Sequence, residues 1–189
     1  MRALEIIKIG SNLLKEKKIP SYILDSEMLL SKALNKTREN ILVNLDKKVN
    51  ERNVEIFKKY LQRRSNNEPM AYIMEEKEFW SMKFNVNRKT LIPRPETELL
   101  VDKLLRMYNK KKISILDIGT GSGCIIISLL CSLNKSNGTG IDVSNSALLV
   151  AKKNATKFKL SNRIKFLNKS LENIFGKKFD LIVSNPPYI

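Results

Sequence analysis

The chain has 189 residues, 42% of them hydrophobic, enough for one ordinary domain or a small domain beside part of a larger one. Its 35 Lys and Arg against 19 Asp and Glu give a formal charge of +16, which permits nucleic acid, anionic membrane or an acidic protein as partner. There is no histidine, which excludes Ser-His-Asp chemistry, a histidine base and histidine metal ligands.

No apolar run has the length of a membrane span and no secretory pattern opens the chain, so the expectation is a cytoplasmic protein without a membrane partner. Residues 1–72 read as helical. Leu4, Ile6, Ile7, Leu13 and Leu14 recur near helical spacing, and Ile23, Met28, Leu29, Leu30, Ala33 and Leu34 repeat it. Thr37 is placed to cap a short helix running to residue 45. Asn50 is placed to cap a longer one carrying Val54, Ile56, Phe57, Tyr60 and Leu61. A polar stretch then ends at Pro69. Residues 73–92 change character, because Phe79, Trp80, Met82, Phe84 and Val86 come close to alternating with polar residues. They predict a β-hairpin, or a pair of short strands, joining two domains. Prolines 93 and 95 make an extended entry to a helix that starts near Pro95 or Thr97 and runs to about residue 108.

From residue 112 the pattern alternates. Strands are expected over 113–118, 138–143, 164–167 and 179–183, and helices over 123–133 and 145–157. Such alternation predicts an α/β domain with a parallel sheet and right-handed crossovers. Cys124 and Cys131 are seven apart on one apolar helix, hence on one face, and read as buried structural thiols. They form no metal site by themselves, and no metal is expected.

The run Asp117-Ile118-Gly119-Thr120-Gly121-Ser122-Gly123 joins the first of these strands to its helix. Glycines there let the backbone take positive φ and come close to a ligand. The dinucleotide fingerprint would need glycine at position 124, which is cysteine, and the phosphate-loop Gly-Lys-Ser/Thr is absent. Asp142 closes the next strand about 20 residues on, where a carboxylate accepts from ribose hydroxyls. An adenosine-containing ligand without a pyrophosphate suits this pattern. S-adenosylmethionine fits, its carboxylate meeting the helix N-terminus and its ribose meeting Asp142.

The chain ends on Ser184-Asn185-Pro186-Pro187-Tyr188-Ile189, after an apolar strand. That is the carboxyl end of a strand, where open α/β sheets bind ligands. Two prolines remove two donors, so the loop offers mainly acceptors, the Asn185 side-chain oxygen and the Pro186 carbonyl. Such a pair suits an –NH2 group held by both hydrogens, and Tyr188 adds a flat face for a planar amide or base.

In four stretches, 68–73, 91–98, 116–124 and 180–189, the chain resembles the release-factor glutamine N5-methyltransferases, the PrmC/HemK family. The resemblance implies a helical bundle (1–72), a hairpin linker (73–92) and a Rossmann-like class I methyltransferase domain (93–189). It implies S-adenosylmethionine as cofactor, held by Gly119, Thr120, Gly121, Ser122, Gly123, Asp142 and Asn185. Asn185, Pro186, Pro187 and Tyr188 would bind the glutamine amide, with Asn185, Pro186 and Tyr188 closest to the chemistry. Arg94, Glu96 and Glu98 are expected near the mouth of the site. The implied partner is a peptide chain release factor, met by a monomer. A DNA or RNA amino-methyltransferase is the rival reading, and nucleic acid is not expected because no aromatics interleave with Arg. Two positions depart from the family: Lys169-Ser170 stands where an acidic residue or tryptophan is usual, and Glu75 where glycine is common. Relatives continue past Asn-Pro-Pro-Tyr-Ile with three more strands. This chain is therefore expected to hold the first four only, and either to be a poor enzyme alone or to be a non-catalytic remnant that binds a release factor.

Overall fold

The computed structural model describes residues 1–109, 111–174, 176 and 178–186. Contacts divide the chain into two compact units, 1–74 and 75–189. Among the described residues no helix is long and apolar enough to cross a membrane.

The first unit is all helical: α1 (Ala3–Glu16), α2 (Tyr22–Leu34), α3 (Arg38–Val43), α4 (Glu51–Ser65) and α5 (Met70–Met74). Thr37 and Asn50 cap α3 and α4 through side-chain oxygens that accept from Asn40 N and Asn53 N, at 3.2 and 2.8 Å. Helix α3 stops at Val43, short of the expected residue 45. The next residues turn back to the chain start, where Leu4 N donates to Leu45 O and Ala3 N to Lys47 O. Ile6, Leu14, Leu29, Leu30 and Phe57 are buried together. Each large apolar side chain contributes about 1.5–3 kcal/mol by leaving water. Gly10 permits a close approach, because a Cβ there would collide first with Ser26 Oγ and would lie 2.7 Å from Phe57 Cζ. Asp25 and Glu68 are buried but paired, with Arg64 at 2.7 Å and Arg63 at 2.6 Å. Unpaired charges at those depths would cost several kcal/mol.

The second unit opens with an antiparallel hairpin, β1 (Glu76–Phe79) and β2 (Met82–Asn85). It is shorter than the expected 73–92 segment, whose first residues, Ile73 and Met74, belong to α5. Nor is it a free linker, since Phe79 and Phe84 are buried in the core of the second unit. Its turn residues Trp80 and Ser81 both have φ of 54°, the left-handed geometry a two-residue hairpin demands. Glu98 offsets that strain by accepting from Trp80 N at 2.9 Å.

After α6 (Glu96–Met107) come β3 (Ser114–Ile118), α7 (Cys124–Ser132), β4 (Asn137–Asp142), α8 (Asn145–Lys157), β5 (Ile164–Asn168), a 3-10 turn at Leu171–Asn173 and β6 (Leu181–Ser184). The sheet is parallel with order β5-β4-β3-β6. Strand β6 begins later than expected because Asp180 is diverted. Its carboxylate accepts from Ser114 N and Oγ at 2.7 and 2.8 Å, which holds it below the usual carboxylate range. Helix α7 is buried from Cys124 through Leu130, and Arg163 closes its carboxyl end by donating to the carbonyls of Leu130, Leu133 and Ser136. Of the two thiols, Cys124 is buried and Cys131, in the last turn of α7, is exposed, which corrects the expectation of two buried ones.

Candidate functional site

All four strands run the same way, so their carboxyl ends share one rim of the sheet. The loops leaving that rim border a cleft of about 410 Å³. This lies in the size range of small-molecule sites. Residues 118–122, 141–144 and 169–171 line it, together with 89–94, Thr97 and Asn185.

The loop after β3 is shaped by its glycines. Gly119, Gly121 and Gly123 have φ of 67°, 55° and 79°. A Cβ on Gly119 would meet nothing within 4 Å, so the backbone there faces open space that a ligand can occupy. Gly123 supplies no side-chain cap to α7. The Ile126 N–H is turned to Asp117, and the amides of Cys124 and Ile125, both on the cleft lining, are the ones an anionic group can meet. The loop is also tied down. Thr120 N donates to Ile141 O at 2.9 Å, and Gly121 N to Asp142 Oδ2 at 3.0 Å. Asp142 Oδ1 accepts from Ser144 N at 2.8 Å, and Asn168 Nδ2 donates to the carbonyls of Asp142 and Val143. Each Asp142 oxygen keeps a lone pair for hydroxyl donors.

Thr120 and Ser122 are both buried, so they border the cleft mainly through backbone. The Thr120 hydroxyl is spent on Asp117 Oδ2, at 2.7 Å. Asp117 is 1% exposed, and its Oδ1 has no hydrogen-bond partner among the described residues. Burial pushes its carboxyl up to about 7; the Thr120 bond and the nearby Ile126 N–H lower it in part, and the Asp142 charge raises it. Burial, followed by the Asp117 charge, pushes the Cys124 thiol up to about 12, so this thiol is inert.

At the other side of the sheet, Asn185 follows β6. Its Nδ2 donates to Thr97 Oγ1 at 2.9 Å, and Thr97 is buried in the first turn of α6. With its nitrogen so engaged, the oxygen of the Asn185 amide is the atom left to accept. Pro186 is exposed, while Pro187 and Tyr188 lie outside the described residues. Arg94 lines the cleft as expected. Glu96 and Glu98 are not among its lining residues, because Glu96 points to solvent and Glu98 holds the hairpin turn.

Lys169 and Ser170, where the sequence departs from the family, both line the cleft beside Leu171. Val143 and Leu171 are 76% and 57% exposed, two apolar side chains on the lining that can cover a flat ring. Sequence reasoning missed both, and missed Thr97 as the partner of Asn185. An available signal was an apolar residue directly after Asp142 that no core position requires. Among the described residues no cluster of acidic or thiol side chains could hold a metal. The glycine cradle, the uncapped helix and Asp142 fit an adenosine ligand with an anionic head.

Residues 5–74 match the family model of the PrmC N-terminal domain, and residues 95–189 match that of the methyltransferase small domain. The chain is 39% identical over 211 residues to the bifunctional methyltransferase of Rickettsia conorii, covering 98% of this chain and 40% of that protein. It is 43% identical over 191 residues to the release factor glutamine methyltransferase of Leptospira interrogans, covering 98% of this chain and 67% of that protein. Among solved structures, the ribosomal protein L11 methylase of Lactobacillus delbrueckii is 26% identical, with a TM-score of 0.46 over 53% of this chain and 51% of that one.

Proposed function

From the premise that this chain belongs to the release factor glutamine methyltransferase family, with that family's PrmC N-terminal domain and methyltransferase small domain, we propose that it methylates the side-chain amide nitrogen of a glutamine in a peptide chain release factor, with S-adenosylmethionine as donor. The observation that carries this reading is Asn185. It lines the same cleft as the glycine loop and Asp142, with its amide nitrogen bonded to Thr97 so that its oxygen is left to accept.

The cofactor supplies a methyl group activated on a sulfonium centre. Backbone of residues 119–122 and the amides of Cys124 and Ile125, all on the cleft lining, would hold its carboxylate. Asp142 would accept from the ribose hydroxyls, and Val143 and Leu171 would flank the base. An amide nitrogen is a poor nucleophile because its lone pair is delocalised into the carbonyl. Asn185 Oδ1 and the Pro186 carbonyl would accept its two N–H bonds and turn the lone pair toward the methyl. Both bonds strengthen as positive charge builds on nitrogen in the transition state, which is where stabilisation raises the rate. Pro187 and Tyr188 would keep the amide plane in place. Methyl transfer leaves a cationic amide nitrogen, which is acidic enough to lose its proton to water. The site therefore needs no general base, and Asp117 is too enclosed to act as one.

Incubation with labelled S-adenosylmethionine, a release factor and total nucleic acid tests the proposal. The expected product is label on one glutamine of the release factor. Label found only in nucleic acid sinks the reading.

A further inference from the structure

Helix α8 turns Ala147, Leu148, Ala151 and Ala155 into the protein, and Asn154 lies among them at 0% exposure. A buried amide costs stability unless its polar atoms are satisfied. Here all are. Asn154 Nδ2 donates to Ser122 O at 2.8 Å and to Asn85 O at 3.0 Å. Its Oδ1 accepts from Asn85 N and from Asn85 Nδ2, both at 2.8 Å. That is the full capacity of the group. It also fixes the amide's orientation, since exchanging N and O would set donors against donors and an oxygen against two carbonyls.

One partner lies on the cleft lining, and the other leads into it. Ser122 sits within the glycine loop. Asn85 ends β2 and leads, through a turn closed by Thr90 N to Asn87 O, into the 89–94 wall. One turn earlier on α8, Ala151 backs the same loop, where a Cβ on Gly123 would lie 3.3 Å from Ala151 Cβ. Asn154 itself is absent from the cleft lining.

We infer that Asn154 is a positioning residue that sets the spacing between the glycine loop and the 89–94 wall, and through that spacing the affinity for cofactor. The inference rests on the methyltransferase reading for its ligand and on geometry alone for its mechanics, so two measurements separate them. The first needs no ligand. In the full chain carrying Asn154→Ala, amide hydrogen exchange is expected to quicken about tenfold at Gly121, Gly123 and residues 86–90, with the amides of β3 and β4 nearly unchanged. Equal acceleration everywhere, or none, overturns the inference, because it marks a merely structural side chain. The second is calorimetric titration with S-adenosylhomocysteine, at a temperature where parent and variant are both folded. About tenfold weaker binding by the variant is expected, from loss of a preset wall spacing. Parent-like affinity overturns the inference. Absence of binding by the parent overturns the methyltransferase reading instead and leaves the exchange result to decide the mechanics. Should Asn154→Ala fail to fold, Asn154→Ser, which keeps a short donor and acceptor, is put to the same two measurements.

Discussion

The buried carboxyl of Asp117 makes the stability of the second unit depend on pH in an unusual direction. In the fold its pKa is pushed up to about 7 from 3.8. The folded state therefore holds this proton longer than the unfolded chain does. The stability linked to it is fully present below about pH 3.8 and is lost as pH rises toward 7. The difference of roughly 3 pKa units corresponds to about 4 kcal/mol over the whole window, and the slope cannot exceed about 1.4 kcal/mol per pH unit. Between pH 5 and 7 the expected loss is roughly 2–3 kcal/mol. The window is clean because the chain has no histidine. Asp180, held low by Ser114, would cost stability only at more acid pH. The single tryptophan, Trp80, packs against the core of the second unit. Urea unfolding followed by its fluorescence therefore reports on that unit. Midpoints should fall from pH 5 to pH 7 in the parent and stay level in Asp117→Asn. A parent whose stability is flat over that range, or an Asn variant that keeps the slope, refutes the assignment.

Asn185→Ala should lower kcat by about 10²–10³, by analogy with removing one transition-state partner, while cofactor affinity changes little; parent-like turnover would remove Asn185 from its assigned role. Thr97→Val should cost about tenfold in kcat by leaving the Asn185 nitrogen unpaired, and Thr97→Ser should restore most of it, as steady-state assays will show. Asp142→Ala should weaken cofactor binding on the order of 100-fold, because two charge-assisted bonds to backbone amides and the ribose acceptor go together. Unchanged affinity by calorimetry would contradict that. Gly10→Ala should destabilise the helical unit by about 1–3 kcal/mol through collision with Ser26 and Phe57, seen as a lower thermal midpoint by circular dichroism.

The sequence makes legible what repeats or stands in fixed spacing. Alternating apolar blocks yield the strand–helix order of the second unit, and helix α8 begins and ends where its pattern says. Thr37 and Asn50 cap as their residue types require. What escaped depends on contacts distant in sequence. Asp180 delays β6 by bonding to Ser114, and the 45–49 stretch leaves helix to meet the chain start. Glu98 lies in the family's signature, yet it holds a hairpin turn 18 positions away. The site divides in the same way. The glycine loop and Asp142 are local motifs, whereas the Thr97–Asn185 bond spans 88 positions. Asn154 left one trace, a polar residue at a core-facing helical position among alanines, which is the kind of exception worth following.

The double engagement of Asp142 has a consequence for the course of binding. Gly121 and Ser144 already hold one lone pair on each of its oxygens. The loop's ordering entropy is therefore spent when the chain folds, before any ligand arrives. Association should proceed without a slow closing step, at a rate set by encounter. Its heat-capacity change should be small, reflecting the apolar area of Val143 and Leu171 covered by the base and not the folding of a loop around it.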